Sequence, residues 1–184
     1  TTKKKKRAHT WINKIEKAKV IFIHIPKAAG TSINEALYGG KTGDHRSIRD
    51  YQCVFTLATL QKTTILSVTR DPVARFQSAF WYLKKGGRNW HDELTADLFL
   101  KNTKIPHDFA IKILDKPFLL NLLHFRPQTS FLATKNRKIS DRIKLLPIED
   151  KTTLEQRLSE ISGRHIIMPK RNENTFHRRS ADPK

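Results

Sequence analysis

Two short segments of this chain place a cation and hydroxyl side chains where anion-binding loops carry them. Residues 20–32 read Val-Ile-Phe-Ile-His-Ile-Pro-Lys-Ala-Ala-Gly-Thr-Ser, and residues 64–78 read Thr-Ile-Leu-Ser-Val-Thr-Arg-Asp-Pro-Val-Ala-Arg-Phe-Gln-Ser. In both, an apolar run typical of a buried strand leads into a predicted helix. The free N–H groups and positive dipole end at such a junction bind phosphate or sulfate. The pair predicts a ligand with phosphate groups at both ends.

The first segment offers an ammonium group and a backbone with small side chains. Lys27 follows the strand, where its flexible side chain can fold over a bound anion. The next residues let the backbone approach the ligand and add hydroxyl donors: Ala28, Ala29, Gly30, Thr31 and Ser32. An ordinary strand-to-helix turn is the alternative for this segment taken alone.

The second segment offers arginine side chains and a hydroxyl. Arg70 ends the predicted strand, and Arg75 and Ser78 lie one helical turn apart on the following helix. An arginine fork beside a hydroxyl suits a terminal phosphate. Taken alone, this segment would better fit a surface arginine that pairs with Asp71 or Asp44.

Together the segments resemble the two cofactor signatures of the carbohydrate-type (family 2) sulfotransferases. The resemblance covers residues 20–85, with weaker similarity at 126–131 and 142–162. It implies a P-loop-like sulfotransferase fold of the α/β class, with a parallel central sheet flanked by helices. It also implies transfer of a sulfuryl group from 3′-phosphoadenosine 5′-phosphosulfate (PAPS) to a hydroxyl, most simply that of a glycan.

The same resemblance assigns roles to individual residues. Lys27, Gly30, Thr31 and Ser32 would hold the 5′-phosphosulfate, with Ala28 and Ala29 contributing backbone. Arg70 and Ser78 would hold the 3′-phosphate, and Arg75 matches the second arginine of the motif. Ala28 stands where the family usually has threonine, and Asp71 where it usually has asparagine.

A base must remove the proton of the acceptor hydroxyl, and His45 is the candidate from sequence. It follows the first predicted helix, where similar small family members often carry a histidine, and Asp44 beside it would raise its basicity. A solvated loop histidine is the alternative. His24, within the strand, is expected to be a hydrogen-bonded core residue. No Cys/His spacing indicates zinc, and the chemistry requires no metal.

Charge and length favour one basic domain with basic ends. The chain has 184 residues and a net charge of +19, of which residues 1–20 carry +7 and residues 164–184 carry +4. We therefore expect an N-terminal extension at 1–19, an α/β domain at 20–163 and a tail at 164–184. The charge keeps a nucleic-acid-binding protein open as an alternative. A phosphotransferase is disfavoured, since Gly40-Lys41-Thr42 lacks the first glycine of a Walker A loop.

Cysteine content and hydropathy bear on the compartment. Cys53 is the single cysteine, so an intrachain disulfide is excluded and a reducing compartment is expected. No apolar run reaches the ~18 residues of a membrane span. We predict a cytoplasmic protein, or one of the Golgi lumen if an N-terminal anchor was removed.

Local signals predict where the elements begin and end. A helix is expected from Ser32, in a capping box with Glu35, to Gly39. Asp71 and Pro72 should begin a helix that runs to Lys85, with a core stripe at Val73, Phe76, Phe80 and Leu83. Residues 92–124 should form short helices broken at Pro106 and Pro117. A third strand at 142–148 should precede a helix that Thr152 opens and Gly163 ends.

Overall fold

The computed structural model describes residues 11–40 and 45–168, which form an α/β structure around a parallel sheet. In the part of the chain described, the sheet has three strands in the order β1-β2-β3: β1 (Val20–Ile23), β2 (Thr64–Thr69) and β3 (Ile143–Pro147). Val20 pairs with Thr64 and Ile65 with Ile143 in parallel register. The predicted parallel sheet and its third strand are confirmed.

Helices connect and cover these strands. Residues 11–18 form α1, which is followed by α2 (Gly30–Tyr38), α3 (Ile48–Val54), α4 (Leu57–Lys62), α5 (Pro72–Lys84), α6 (Trp90–Thr95), α7 (Pro106–Asp115), α8 (Thr129–Leu132) and α9 (Lys151–Ser162). A π-helical turn at Ala96–Leu100 continues α6, and a 3₁₀ helix at Pro117–Asn121 follows α7. The expected breaks at Pro106 and Pro117 are confirmed.

Alternating residues of β1 and β2 face opposite sides of the sheet, as strand geometry requires. Ile21, Ile23 and Ile65 pack with α1, α3 and α4 on one face. Phe22 and Leu66, with their neighbours, pack against α2 and α9 on the other face. A further apolar cluster joins α5 to the helices of residues 96–125. Because both faces of β1 and β2 are covered, these two strands are largely apolar in sequence, whereas β3 is mostly exposed.

Two tyrosines satisfy the backbone at the outer edge of β1. The Tyr38 hydroxyl accepts from the Phe22 N–H at 3.0 Å and donates to the Val20 carbonyl at 2.8 Å. The Tyr51 hydroxyl donates to the Phe22 carbonyl at 3.2 Å, and burial raises the pKa of Tyr51 to about 12. Side chains of α2 and α3 thereby take the place of a neighbouring strand.

The capping signals gave mixed results. Asp71 caps α5 by accepting from the Ala74 N–H at 2.8 Å, with Pro72 in the first turn, as predicted. The capping box at Ser32 was wrong, because α2 begins at Gly30 after a left-handed Ala29. Asp150, and not Thr152, caps α9.

The predicted core stripe of α5 was partly wrong. Phe80 and Leu83 are buried, but Val73 is 64% exposed. Arg75 and Ser78, expected on the face away from the core, are only 5% and 8% exposed. The reason is that α5 packs against the helices of residues 96–125 on one side and the loop after β1 on another. The spacing of apolar residues along a helix does not show that two different parts of the protein pack against it.

Buried residues also lie outside the predicted domain limits of 20–163. Ile15 in α1 is 1% exposed, and Ile166 and Met168 are 5% and 6% exposed in the core cluster of α2 and α9. Among the described helices, none is both long and apolar enough to cross a membrane.

Candidate functional site

A cleft of about 1720 Å³ opens where β1 and β2 end at the same edge of the sheet. In parallel α/β sheets this carboxyl edge is the usual place for a ligand. Gly30, from the first junction, and Arg70, from the second, both line this cleft. The two segments singled out in the sequence therefore meet at one site.

The loop between β1 and α2 has an unusual backbone. Lys27 and Ala29 adopt left-handed conformations with φ of 66° and 55°. A Cβ on Gly30 would lie 1.7 Å from Cδ2 of His24, so only glycine fits against that ring. The first N–H groups of a helix have no partner within the helix and point outward from its start. The loop therefore brings the start of α2 to the cleft wall.

The Lys27 ammonium lies inside the cleft, 4.0 Å from the centre of the Tyr82 ring. Burial, together with the nearby charges of Arg88 and Arg70, lowers the pKa of Lys27 to about 8, although Asp92 acts to raise it. A cation held among other cations is stabilised by an incoming anion. Lys27 is thus placed to meet a phosphate or sulfate group.

The backbone of Arg70 is fixed by one glutamine. Gln128 accepts from the Arg70 N–H at 3.1 Å and donates to the Arg70 carbonyl at 2.7 Å. The Arg70 guanidinium donates to the Lys27 carbonyl at 3.2 Å, which links the two loops directly. Ser78, two turns into α5, lines the same cleft. The weak similarity noted at residues 126–131 thus falls on a segment that positions Arg70.

The Arg75 guanidinium is directed into the scaffold. It donates to the carbonyl of Pro26 at 3.1 Å and of His124 at 3.2 Å, and also to that of Arg126. These bonds tie the loop after β1 and the segment at 124–126 to α5. The position of Arg75 therefore fits a residue that holds the site together better than one that contacts a ligand.

His45 and His24 lie side by side in the cleft, with ring centres 4.1 Å apart. His45 Nδ1 is 3.0 Å from the His24 carbonyl oxygen. A carbonyl only accepts, so Nδ1 carries the hydrogen and Nε2 of neutral His45 carries the lone pair. Burial lowers the pKa of His24 to about 3, so His24 stays neutral. Asp44 lies outside the described residues.

Sequence reasoning missed a histidine–carboxylate pair in this cleft. His124 Nε2 lies 3.0 Å from Asp92 Oδ1. Asp92 also accepts from the Tyr82 hydroxyl at 2.6 Å, the Arg88 N–H at 3.0 Å and the Asn89 side chain at 3.0 Å. Burial alone raises the pKa of Asp92, but these hydrogen bonds outweigh it and hold that pKa below its usual value. Asp92 and His124 are 32 positions apart, and no local pattern links them.

Most residues proposed from sequence line the cleft: Lys27, Ala29, Gly30, Thr31, Ser32, His45, Arg70 and Ser78. Ala28 instead packs in the core of the α1 face of the sheet and is 1% exposed. In residues 11–40 and 45–168, no three His, Cys, Asp or Glu side chains are grouped as metal ligands would be.

Comparison of the chain with family models, with curated proteins and with solved structures found no significant match. The function of the site must therefore be argued from its residues.

Proposed function

We propose that this protein is a sulfotransferase that moves a sulfuryl group from PAPS to a hydroxyl, most simply that of a glycan. The observation that carries the proposal is the meeting of both junctions at one cleft, with Arg70 bonded to the Lys27 carbonyl. The resemblance to carbohydrate-type sulfotransferases and the parallel sheet support it, and the P-loop-like sulfotransferase fold belongs to the same proposal.

The polar groups of the cleft match the parts of the donor. Arg70 and Ser78 would bind the 3′-phosphate, as charged and hydroxyl donors do. The start of α2, with Thr31 and Ser32, would bind the 5′-phosphosulfate. Lys27 would then stabilise the negative charge that develops on the leaving phosphate oxygen. Arg75 holds the loop after β1 against α5, because its guanidinium donates to the carbonyl of Pro26.

The acceptor hydroxyl must lose its proton as the new S–O bond forms. His45 is placed for this step, because a backbone carbonyl fixes its tautomer and leaves Nε2 as an acceptor. The cleft is larger than the ~300–1,000 Å³ of a typical single-ligand pocket. It therefore has room for the donor and part of an acceptor together.

Thermal melting with three ligands tests the proposal. We expect stabilisation by adenosine 3′,5′-bisphosphate, the desulfated donor, and little or none by ATP. A ligand at ~100 times its dissociation constant adds about 2.7 kcal/mol to the free energy of unfolding. For a chain of this size that is a shift of roughly 5–10 °C.

Duplex DNA is the third ligand, because the charge of +19 also fits a nucleic-acid-binding protein. Stabilisation by DNA alone, disappearing as salt is raised, would replace the enzyme proposal with that alternative. Transfer of labelled sulfate from PAPS onto a panel of polysaccharides, lipids and small alcohols then tests the activity itself. Failure to bind the bisphosphate and to transfer sulfate would refute the proposal.

A further inference from the structure

His124 is a buried side chain of the cleft with one nitrogen that no group satisfies. The residue is 8% exposed, and Nε2 faces the Asp92 carboxylate at 3.0 Å. Within the described part of the chain, buried Nδ1 has no hydrogen-bond partner. A buried polar atom without a hydrogen-bond partner destabilises the folded state. Such an atom beside a ligand cleft calls for a functional explanation.

The Asp92 carboxylate determines which nitrogen of His124 carries the hydrogen. A carboxylate only accepts, so Nε2 donates and Nδ1 of the neutral ring keeps its lone pair. Asp92 is held ionised by its other donors, including the Tyr82 hydroxyl at 2.6 Å. A carboxylate on one nitrogen and a lone pair on the other is the arrangement by which an imidazole acts as a general base.

His124 also lies beside the groups that the proposed reaction needs. Its ring centre is 6.1 Å from that of His45 and 4.9 Å from that of Tyr82, the ring that carries the Lys27 ammonium. Its carbonyl accepts from Arg75, which fixes the backbone at this point. The imidazole is thus held in place from both its side chain and its main chain.

We propose that His124, oriented by Asp92, is a second general base of this cleft alongside His45. The inference rests on the proposed sulfotransferase function. Nδ1 of His124 is buried in the structure, so this role requires the Lys27 ammonium to turn from the Tyr82 ring to the bound donor and the acceptor hydroxyl to reach Nδ1. The acceptor O–H bond breaks as its oxygen bonds to sulfur, and the proton goes to Nδ1 of His124 in those turnovers in which Nε2 of His45 does not take it. The S–O bond to the 5′-phosphate breaks, and its electron pair leaves with adenosine 3′,5′-bisphosphate.

Asp92 distinguishes His124 from the other two imidazoles. His24 has a pKa of about 3, so it is a poor proton acceptor. His45 has a neutral carbonyl as its fixed partner, whereas His124 has a full negative charge that stabilises the imidazolium. Burial is the largest effect and holds the pKa of His124 below its ordinary value, and Asp92 opposes that lowering.

Several charged or titratable groups face His124 from the elements around it. They are Asp92 of α6, Tyr82 of α5, Lys27 and His24 at the end of β1, and His45 before α3. The pH dependence of His124 therefore has to be measured with the His45 contribution removed.

The experiment measures sulfate transfer from PAPS against pH in asparagine variants. His45→Asn and His124→Asn should each lower turnover but leave it measurable, and the double variant should lose about 10²–10⁴-fold in total. In the His45→Asn background, adding Asp92→Asn should move the acid limb of kcat/KM to lower pH. Without the carboxylate, His124 has a lower pKa and stays unprotonated to lower pH, while its turnover falls because it is a weaker base.

Controls separate this role from folding and from the function itself. His107→Asn, on an exposed residue of α7, should leave turnover and the pH profile unchanged. Affinity for adenosine 3′,5′-bisphosphate and the melting temperature show whether each variant is folded. If the His124→Asn variant folds, binds the bisphosphate and keeps wild-type turnover, the inference about His124 is wrong, while the proposed function still stands. An acid limb that Asp92→Asn does not move would also overturn the inference. If the unmodified protein does not bind adenosine 3′,5′-bisphosphate, the proposed function itself is wrong.

Discussion

Lys27 has a left-handed backbone although lysine gains nothing sterically from that conformation. Such strained residues cost about 1–3 kcal/mol each, and they cluster at ligand sites. Lys27→Ala should reduce sulfate transfer by about 10²–10³-fold, because a charge that acts mainly in the transition state is lost. Transfer kinetics and bisphosphate affinity are the measurements. Lys101→Ala removes an exposed lysine and serves as the control. Near-normal turnover in Lys27→Ala would contradict the role given to this ammonium.

Gly30 is required by its neighbour and not by its own backbone angle. Because a Cβ would collide with His24, Gly30→Ala should lower the free energy of unfolding by about 1–3 kcal/mol, as overpacking does. Urea denaturation measures this change. In the double variant Gly30→Ala/His24→Ala the loss should be smaller than the sum of the two single losses. Strict additivity would show that the His24 ring is not what excludes a side chain at position 30.

At the scale of elements, Gln128 holds the backbone of Arg70, the residue that directly follows β2. Gln128→Met would leave both the N–H and the carbonyl of Arg70 without their side-chain partner. We expect the free energy of unfolding to fall by about 1–3 kcal/mol. Bisphosphate affinity should fall too, because Arg70 is no longer fixed. Calorimetric titration and denaturation test this.

The matched substitution for Gln128→Met is Gln156→Met. Gln156 lies on the exposed surface of α9 and bonds the Glu160 side chain. Gln156→Met should change the free energy of unfolding and the bisphosphate affinity much less than Gln128→Met does. An equal effect at both positions would mean that the two bonds to Arg70 have no special importance.

The elements that could be predicted from sequence are those with local causes. Apolar, β-branched runs gave the strands, and Asp71 followed by Pro72 gave the start of α5, since the cap bonds a backbone three residues away. The start of α2 could not be predicted, because it depends on left-handed turns at Lys27 and Ala29. Neither residue type prefers that conformation.

The residues of the candidate site also fall into those that the local sequence indicates and those that it does not. Lys27 and Arg70 stand within recognisable segments, so their approach to one cleft could be foreseen. Arg75 gave a misleading signal, because the carbonyls that bury it lie 49 to 51 positions away in the chain. The Asp92–His124 pair gave no signal, since contacts between a helix and a distant loop leave no spacing in the sequence.

For the whole molecule, Lys27 makes stability depend on pH in a defined direction. Folded Lys27 has a pKa of about 8, below the ordinary value of 10.5, so the folded state binds fewer protons between these values. Stability should therefore rise from pH 8 toward pH 10. Lys27→Met should remove that rise, which chemical denaturation across this range would measure without ligand. The comparison stops near pH 10 because the pKa values of buried tyrosines are raised in the folded state. Above that pH their titration lowers the free energy of unfolding, which is the opposite of the Lys27 effect. An unchanged slope in Lys27→Met would contradict the lowered pKa.

The hydroxyls of Tyr38 and Tyr51 occupy the backbone groups along one border of the sheet. A fourth strand, from this chain or from another molecule, would have to displace them before it could pair there. The two tyrosines therefore oppose strand addition at β1, and replacing Tyr38 with phenylalanine would weaken that opposition.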